Sequence, residues 1–284
     1  MDGVPAARPA GGRDDRRRLR VWEGRTISVV LPTYNEVGSI RSCIEAFEAL
    51  GIVDEVLVVN NNAAEGTHEA VAPTRAREVD EPVQGYGAAI RRGLAEASGD
   101  LIVLCEPDGT FDPSDLRKLL PFTVDTDVVW GSRTVQVFIW DGANMGLFLR
   151  WGNWAVAKLI EVIFGTAYLS DVGCTMRVMH RHVVESLLPT FRLTGSAFGL
   201  ELLLRSIVAR HRFVQVPVRY KQRVGHSSVT GDRWKAVALG LEMIRLVLRF
   251  RFRLRSLAPQ PLAPDRDARG LPRKGPDAPL SPTG

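Results

Sequence analysis

Cysteine and uninterrupted apolar sequence are both scarce in this 284-residue chain. Its three cysteines, Cys43, Cys105 and Cys174, lie far apart and form no Cys-x-x-Cys pair. That excludes a disulfide framework and leaves buried, reduced thiols in a cytosolic protein as the expectation. The longest stretch free of Asp, Glu, Lys and Arg is Thr26 to Asn35, ten residues. A spanning helix needs about 20 mostly apolar residues, so a polytopic membrane protein is excluded. The basic run Arg13 to Arg20 meets no apolar core, because Glu23 and Arg25 follow, so no secretory signal is expected. No Gly-x4-Gly-Lys-Ser/Thr loop occurs, which excludes a P-loop nucleotide site. Gly85-x-Gly87 has Ile90 where a dinucleotide fingerprint needs its third glycine. His68, His180, His182, His211 and His226 show no zinc spacing, and His180-x-His182 reads as a helix cap.

What is present is a globular composition, 45% hydrophobic and 24% charged, with a formal net charge of +5. The excess of cations suits an anionic partner, a phosphate or a membrane surface, without choosing between them. Residues 1–24 read as a disordered basic arm. Residues 256–284 read as a disordered tail, because Leu257 to Gly284 holds seven prolines and three glycines. The expected domain spans 25–231, and an amphipathic basic helix follows over 232–255.

Ile27 to Leu31 is a continuous β-branched and apolar run that stops at Pro32, the mark of a buried parallel strand. A helix is expected over Glu36 to Leu50, with Ile40, Ile44 and Phe47 on one face and Gly51 as its stop. Glu55 to Val59 is a second strand, a polar helical segment follows from Glu65, Gly85 to Ala97 is a helix, and Leu101 to Cys105 is a further strand. This alternation means α/β with a mostly parallel sheet, whose ligands bind beyond the carboxyl ends of the strands. The residues to watch are therefore Pro32-Thr33-Tyr34-Asn35-Glu36, Asn60-Asn61-Asn62 and Glu106-Pro107-Asp108. In an extended segment Glu106 and Asp108 face the same way. Two such carboxylates repel unless a cation or proton joins them. They are either an acidic turn or the protein's half of a Mg2+ or Mn2+ site completed by substrate phosphates.

These strand-end motifs, taken in order, resemble the family 2 glycosyltransferases of GT-A fold. The likeness continues through Gln84-Gly85-Tyr86-Gly87, Gly131-Ser132-Arg133, Ser170-Asp171-Val172-Gly173-Cys174-Thr175-Met176-Arg177, Gly199-Leu200-Glu201-Leu202 and Arg223-Val224-Gly225-His226-Ser227-Ser228. The later motifs are similar to the polyprenyl-phosphate branch, which includes the dolichol-phosphate mannosyl- and glucosyltransferases. The resemblance implies a Rossmann-like nucleotide-diphospho-sugar transferase fold. It implies a metal on Glu106 and Asp108, and a nucleotide held by Pro32, Thr33, Tyr34, Glu36, Asn60, Asn61, Gly85 and Pro107. Asp171, Asp108 and Arg133 are the implied catalytic groups. Arg133, Arg150, Arg177, Arg223, His226 and Ser227 are candidate contacts for the acceptor phosphate or the diphosphate. The family's usual Asp-Asp-Gly-Ser after the second strand is replaced by Asn60-Asn61-Asn62-Ala63, and the first acid of the metal pair is Glu106 rather than Asp.

The expected reaction is metal-dependent transfer of a sugar from a nucleotide-diphosphate donor to a polyprenyl phosphate. A polysaccharide or secondary-metabolite acceptor is the alternative. The segment 144–165 is too charged to span a membrane and too greasy for an ordinary surface helix, with Trp151 and Trp154 in it and Trp140 just before. It is expected to lie in a membrane interface. Trp234, Val237, Leu241, Ile244 and Leu248 make an apolar stripe on the last helix, whose end carries Arg245, Arg249, Arg251, Arg253 and Arg255. Clustered arginine beside apolar surface suits anionic lipid. The expected location is the cytoplasm, peripheral on the cytosolic face of the membrane, with no nucleic-acid partner.

Overall fold

The computed structural model describes residues 22–139, 147–166, 168–224 and 233–252. Among the described residues seven strands form one sheet: β1 (Ile27–Thr33), β2 (Glu55–Asn60), β3 (Arg77–Asp80), β4 (Leu101–Leu104), β5 (Val128–Ser132), β6 (Arg177–His180) and β7 (Phe213–Pro217). Their order is β3-β2-β1-β4-β6-β5-β7. Every neighbouring pair is parallel except those made by β6, which runs antiparallel to both β4 and β5. The mostly parallel α/β reading is thus correct, with one reversed strand. β1 and β4 are buried along their whole length, as their unbroken apolar runs require.

Helices cover both faces. α1 (Ile40–Ala49), α2 (Thr67–Val71) and α4 (Leu116–Leu119) lie over one apolar cluster built on Ile27, Val29, Leu31 and Phe47. α3 (Tyr86–Glu96), α5 (Leu147–Phe164), α6 (Arg181–Leu187), α7 (Phe198–Val208) and α8 (Arg233–Phe252) lie over the other, built on Val30, Ile90, Trp130 and Phe198. α3 sits so close to the sheet that a Cβ on Gly93 would come 2.2 Å from Val30 Cγ1.

Several boundaries differ from the sequence reading. The first helix begins at Ile40, not Glu36, because Glu36 turns its carboxylate back onto the preceding loop. The polar segment after β2 yields only the five-residue α2 and then the short strand β3, whose mixed polarity (Arg-Glu-Val-Asp) hides its period. Trp22 and Arg25 exchange backbone hydrogen bonds, so the described fold begins just before Thr26. His180 caps α6 in extended conformation, with its Nε2 2.9 Å from the Thr123 carbonyl oxygen. Among the described side chains of α8, Val247 and Phe250 are buried, and Leu241 and Leu248 of the apolar stripe are exposed. The expected arm lies almost wholly outside the described residues. So do the tail, Trp140, His226, Ser227, Arg253 and Arg255.

The topology decides where chemistry can occur. β1, β2, β4, β5 and β7 all end at one edge of the sheet, and antiparallel β6 begins there. Segments 33–36, 60–62, 105–110, 131–134, 170–176 and 218–224 therefore converge on that edge.

Candidate active site

At the end of β4, Ser39 Oγ donates to the Pro107 carbonyl at 2.6 Å, pinning the acidic segment to the start of α1. Asp108 is 1% exposed. Its Oδ1 accepts from Thr110 N at 2.9 Å and Thr110 Oγ1 at 2.6 Å, a local turn that fixes the carboxylate. Its Oδ2 is buried without a hydrogen bond, yet it lies 2.6 Å from Arg223 Nη2. The same nitrogen is 3.3 Å from Glu106 Oε2. Glu106 and Asp108 thus share one cation position. Burial and then the neighbouring Asp108 charge push the Glu106 carboxyl up to about 7. Tyr86 is half-buried with its hydroxyl beside Glu106, and desolvation first raises its phenol as well.

This donor set fits a divalent ion. Hard carboxylate oxygens, one of them buried and held only by the Arg223 ion pair, are what Mg2+ or Mn2+ takes from a protein when substrate phosphates complete its shell. Among the described residues no group of three His, Cys, Asp or Glu could enclose an ion by itself.

Arg223 is brought here by the irregular segment that follows β7. Val224 N donates to the Asp108 carbonyl at 2.9 Å, and Lys221 N to that of Thr110 at 2.8 Å. Gly109 has φ +79, and a Cβ there would meet Val224 Cγ2 at 3.0 Å. Arg219 reaches Asp115 at 2.7 Å and Asp112 at 3.2 Å, and Lys221 reaches Asp112 at 3.0 Å, locking the segment behind the site.

A second charged pair stands at the end of β5. Asp171, 2% exposed, accepts from Arg133 N at 2.8 Å, Nε at 2.9 Å and Nη2 at 3.0 Å. Asn153 Nδ2 of α5 and Gly173 N donate to its Oδ1 at 2.5 and 2.9 Å. Burial alone would raise the Asp171 carboxyl, but the Arg133 charge and these donors outweigh it and hold it below the usual carboxylate range. Gly173 leaves room for the guanidinium here, since a Cβ would lie 2.9 Å from Arg133 Nη2. Asp171 neither caps a helix nor pairs with Arg177; its partners are Arg133, Asn153 and Gly173.

Arg177 is 1% exposed and stacks on Trp130, its guanidinium carbon 4.6 Å from the ring centroid. It donates to the carbonyls of Cys174 at 2.5 Å, Thr175 at 3.2 Å and Gly199 at 3.4 Å. It braces the segment between Asp171 and β6 and is sealed from solvent. Arg150, half-buried on α5, donates to the Thr134 carbonyl at 3.3 Å, next to Arg133. Glu201 pairs with Arg205 at 2.7 Å and accepts from Arg192 N and Leu193 N.

The first loop is organised by Glu36, whose Oε2 accepts from Tyr34 N at 2.7 Å, Asn35 N at 2.9 Å and Thr33 Oγ1 at 3.3 Å. Tyr34 stands 50% exposed above it, and Pro32 is buried in β1. Asn60 accepts from Ala63 N and donates to Glu78. Asn61 is buried and spends its amide on the Glu81 and Val83 carbonyls, Gln84 and Gly85 N. The glycine-rich start of α3 is a packing device: Gly87 N and Ala88 N donate to the Thr194 carbonyl, and a Cβ on Gly87 would come 2.7 Å from Phe198 Cβ. Thr110, Asn153 and Gly173 were not singled out from sequence. Only Gly173, between Asp171 and Cys174, carried a signal.

Comparison with known proteins agrees with this arrangement. The family model of glycosyl transferase family 2 matches residues 28–188. The low-salt glycan biosynthesis hexosyltransferase Agl6 of Haloferax volcanii is 32% identical over 220 residues, covering 75% of this chain. This chain spans about half of that protein's length, 52%. The dolichyl-phosphate hexose transferase of the same organism is 27% identical over 229 residues, covering 80% of this chain and 96% of its own. Among solved structures, glucosyl-3-phosphoglycerate synthase from Mycobacterium tuberculosis, in complex with Mn2+, uridine diphosphate and phosphoglyceric acid, has a TM-score of 0.62. It is 22% identical, with 86% of this chain and 84% of that one covered, and shows the shared GT-A fold.

Proposed function

As a member of glycosyl transferase family 2 this chain is a nucleotide-sugar-dependent glycosyltransferase, and we propose that it transfers the sugar to a polyprenyl phosphate at a membrane surface. The observation that carries the reading is the convergence of Glu106 and Asp108 on one cation position beside the exposed first loop. A divalent ion held there neutralises the charge that develops on the departing diphosphate. Thr33, Tyr34 and Glu36 line the approach for the nucleotide, and Asn60 shapes the turn beside it.

The second support is the chemistry of Asp171. A hydroxyl acceptor needs a general base. Asp171 accepts from Arg133, Asn153 and Gly173, and its carboxyl is held low, so it is poorly suited to take a proton. A phosphate monoester, with a second pKa of about 6, arrives already ionised and needs a cation to position it. Arg133, held rigid by Asp171, and Arg150 beside it supply that charge. One similar protein is named for a phosphate-bearing lipid, as a dolichyl-phosphate hexose transferase.

The lipid half of the reading rests on α5 and α8, which pack on each other and leave apolar surface outward. Trp151 is 64% and Val162 84% exposed on α5, and Phe252 is 79% exposed on α8. Arg245, Leu248, Arg249 and Phe252 line a shallow groove of about 320 Å³. No described helix is long and apolar enough to cross a membrane. Tryptophan with clustered arginine suits the boundary between anionic headgroups and acyl chains. The test is to incubate the full chain with Mn2+, labelled nucleotide sugars and polyprenyl phosphate in vesicles. Label entering the organic phase is expected; label confined to a water-soluble product overturns the acceptor assignment.

A further inference from the structure

We propose that Arg223 is a resident counter-ion of the acidic pair, one that leaves its position when a divalent cation and a nucleoside diphosphate bind together. The inference deepens the metal reading above and rests on it. A single guanidinium nitrogen lies 2.6 Å from Asp108 Oδ2 and 3.3 Å from Glu106 Oε2. Two neighbouring carboxylates removed from bulk water need a cation or a proton between them. Arg223 supplies that cation in the ligand-free protein.

The segment is anchored elsewhere. Its backbone bonds run from Val224 N and Lys221 N to the 108–110 turn, and its ion pairs run from Arg219 and Lys221 to Asp112 and Asp115. The Arg223 side chain, still part-exposed, can therefore swing away without unfastening the segment that carries it.

A divalent ion and this guanidinium cannot occupy one position. Metal arriving alone must evict Arg223 and leave it without a counter-charge. Metal arriving with a diphosphate offers the displaced guanidinium new oxygens, for which its planar fork is well shaped. Metal and diphosphate are then positively coupled, and the coupling is reciprocal. Arg223 keeps the acids from capturing metal without a donor and delivers a positive charge to the diphosphate only after metal is seated.

The test measures Mn2+ binding to the full chain by the loss of its free electron-paramagnetic signal, alone and with uridine or guanosine diphosphate. Arg223→Gln is expected to bind Mn2+ without nucleotide about tenfold or more tighter than wild type, since one charge-assisted contact no longer competes. The further tightening given by the nucleotide is expected to shrink. Arg223→Lys, which keeps a cation at that position, is expected to behave nearer to wild type. Thermal melting without metal checks the fold: Arg223→Gln is expected to melt lower than wild type and to regain more on adding Mn2+. Nucleotide-free Mn2+ binding by Arg223→Gln that is unchanged or weaker overturns the counter-ion role, while loss of binding in Asp108→Asn still upholds the metal position. Wild-type Mn2+ affinity in Asp108→Asn overturns the metal reading itself and this inference with it.

Discussion

Asp171 offers the sharpest structural prediction. Its carboxylate is buried and saturated by Arg133 N, Nε and Nη2, Asn153 Nδ2 and Gly173 N. Removing one member of a buried ion pair typically costs about 3–5 kcal/mol, because the other charge is stranded. Asp171→Asn keeps the shape but presents an amide to several donors, so a loss of about 3 kcal/mol is expected from urea unfolding at neutral pH. Arg133→Ala strands the carboxylate instead. The double variant strands neither, so its loss should fall short of the sum by about 2 kcal/mol or more. The pH dependence has a definite sign. The folded carboxyl is held below its unfolded value of about 3.9. Its stabilisation is therefore complete above that value and is lost as pH falls through the folded one. The penalty of Asp171→Asn should be constant from about pH 5 to 8 and shrink in stronger acid. Transfer should drop by about a hundredfold, because Arg133 loses its alignment. A neutral-pH loss below about 1 kcal/mol, or additivity in the cycle, would refute the reasoning.

Other outcomes follow from the same geometry. Asp108→Asn should lower transfer by at least about a thousandfold while circular dichroism stays native, since it removes charge from the metal position; near wild-type turnover with Mn2+ present would dismiss the assignment. Gly87→Ala should destabilise by about 1–3 kcal/mol through its clash with Phe198 and Leu193. Gly152→Ala, on α5 with nothing within 4 Å, should stabilise by about 0.5–1 kcal/mol; denaturant midpoints moving the same way in both would contradict the packing account. Arg245→Glu with Arg249→Glu should weaken co-sedimentation with anionic vesicles by about thirtyfold or more, at about 1 kcal/mol per arginine near the surface. Unchanged binding would remove α8 from the membrane face.

Three of the seven described strands, β1, β2 and β4, were legible because they are continuous apolar runs, and the place of the site followed from where those runs end. β6 and β7 were not legible as strands, and β5 was implied only by the family resemblance. β3 was not legible either, because four residues of mixed polarity at a sheet edge carry no period. The acids at the end of β4 announced themselves by spacing. Their partner Arg223 lies 115 residues from Asp108 and is brought there by the 218–224 segment running beside residues 108–111, a tertiary fact no local pattern encodes. The Arg133–Asp171 pair was hidden in the same way: its members lie 38 positions apart, joined because β6 enters the sheet reversed between β4 and β5. The glycines at α3 were legible as a place of close approach, but only the structure shows that the Thr194 carbonyl and Phe198 lie against them.

The most direct measurement is a crystal of the full chain grown with Mn2+ and a nucleoside diphosphate, with diffraction collected at the manganese edge. The account predicts an anomalous peak about 2.0–2.3 Å from an Asp108 carboxylate oxygen, with Glu106 adjacent and diphosphate oxygens completing the shell. A bound nucleotide whose manganese sits away from both carboxylates would contradict it.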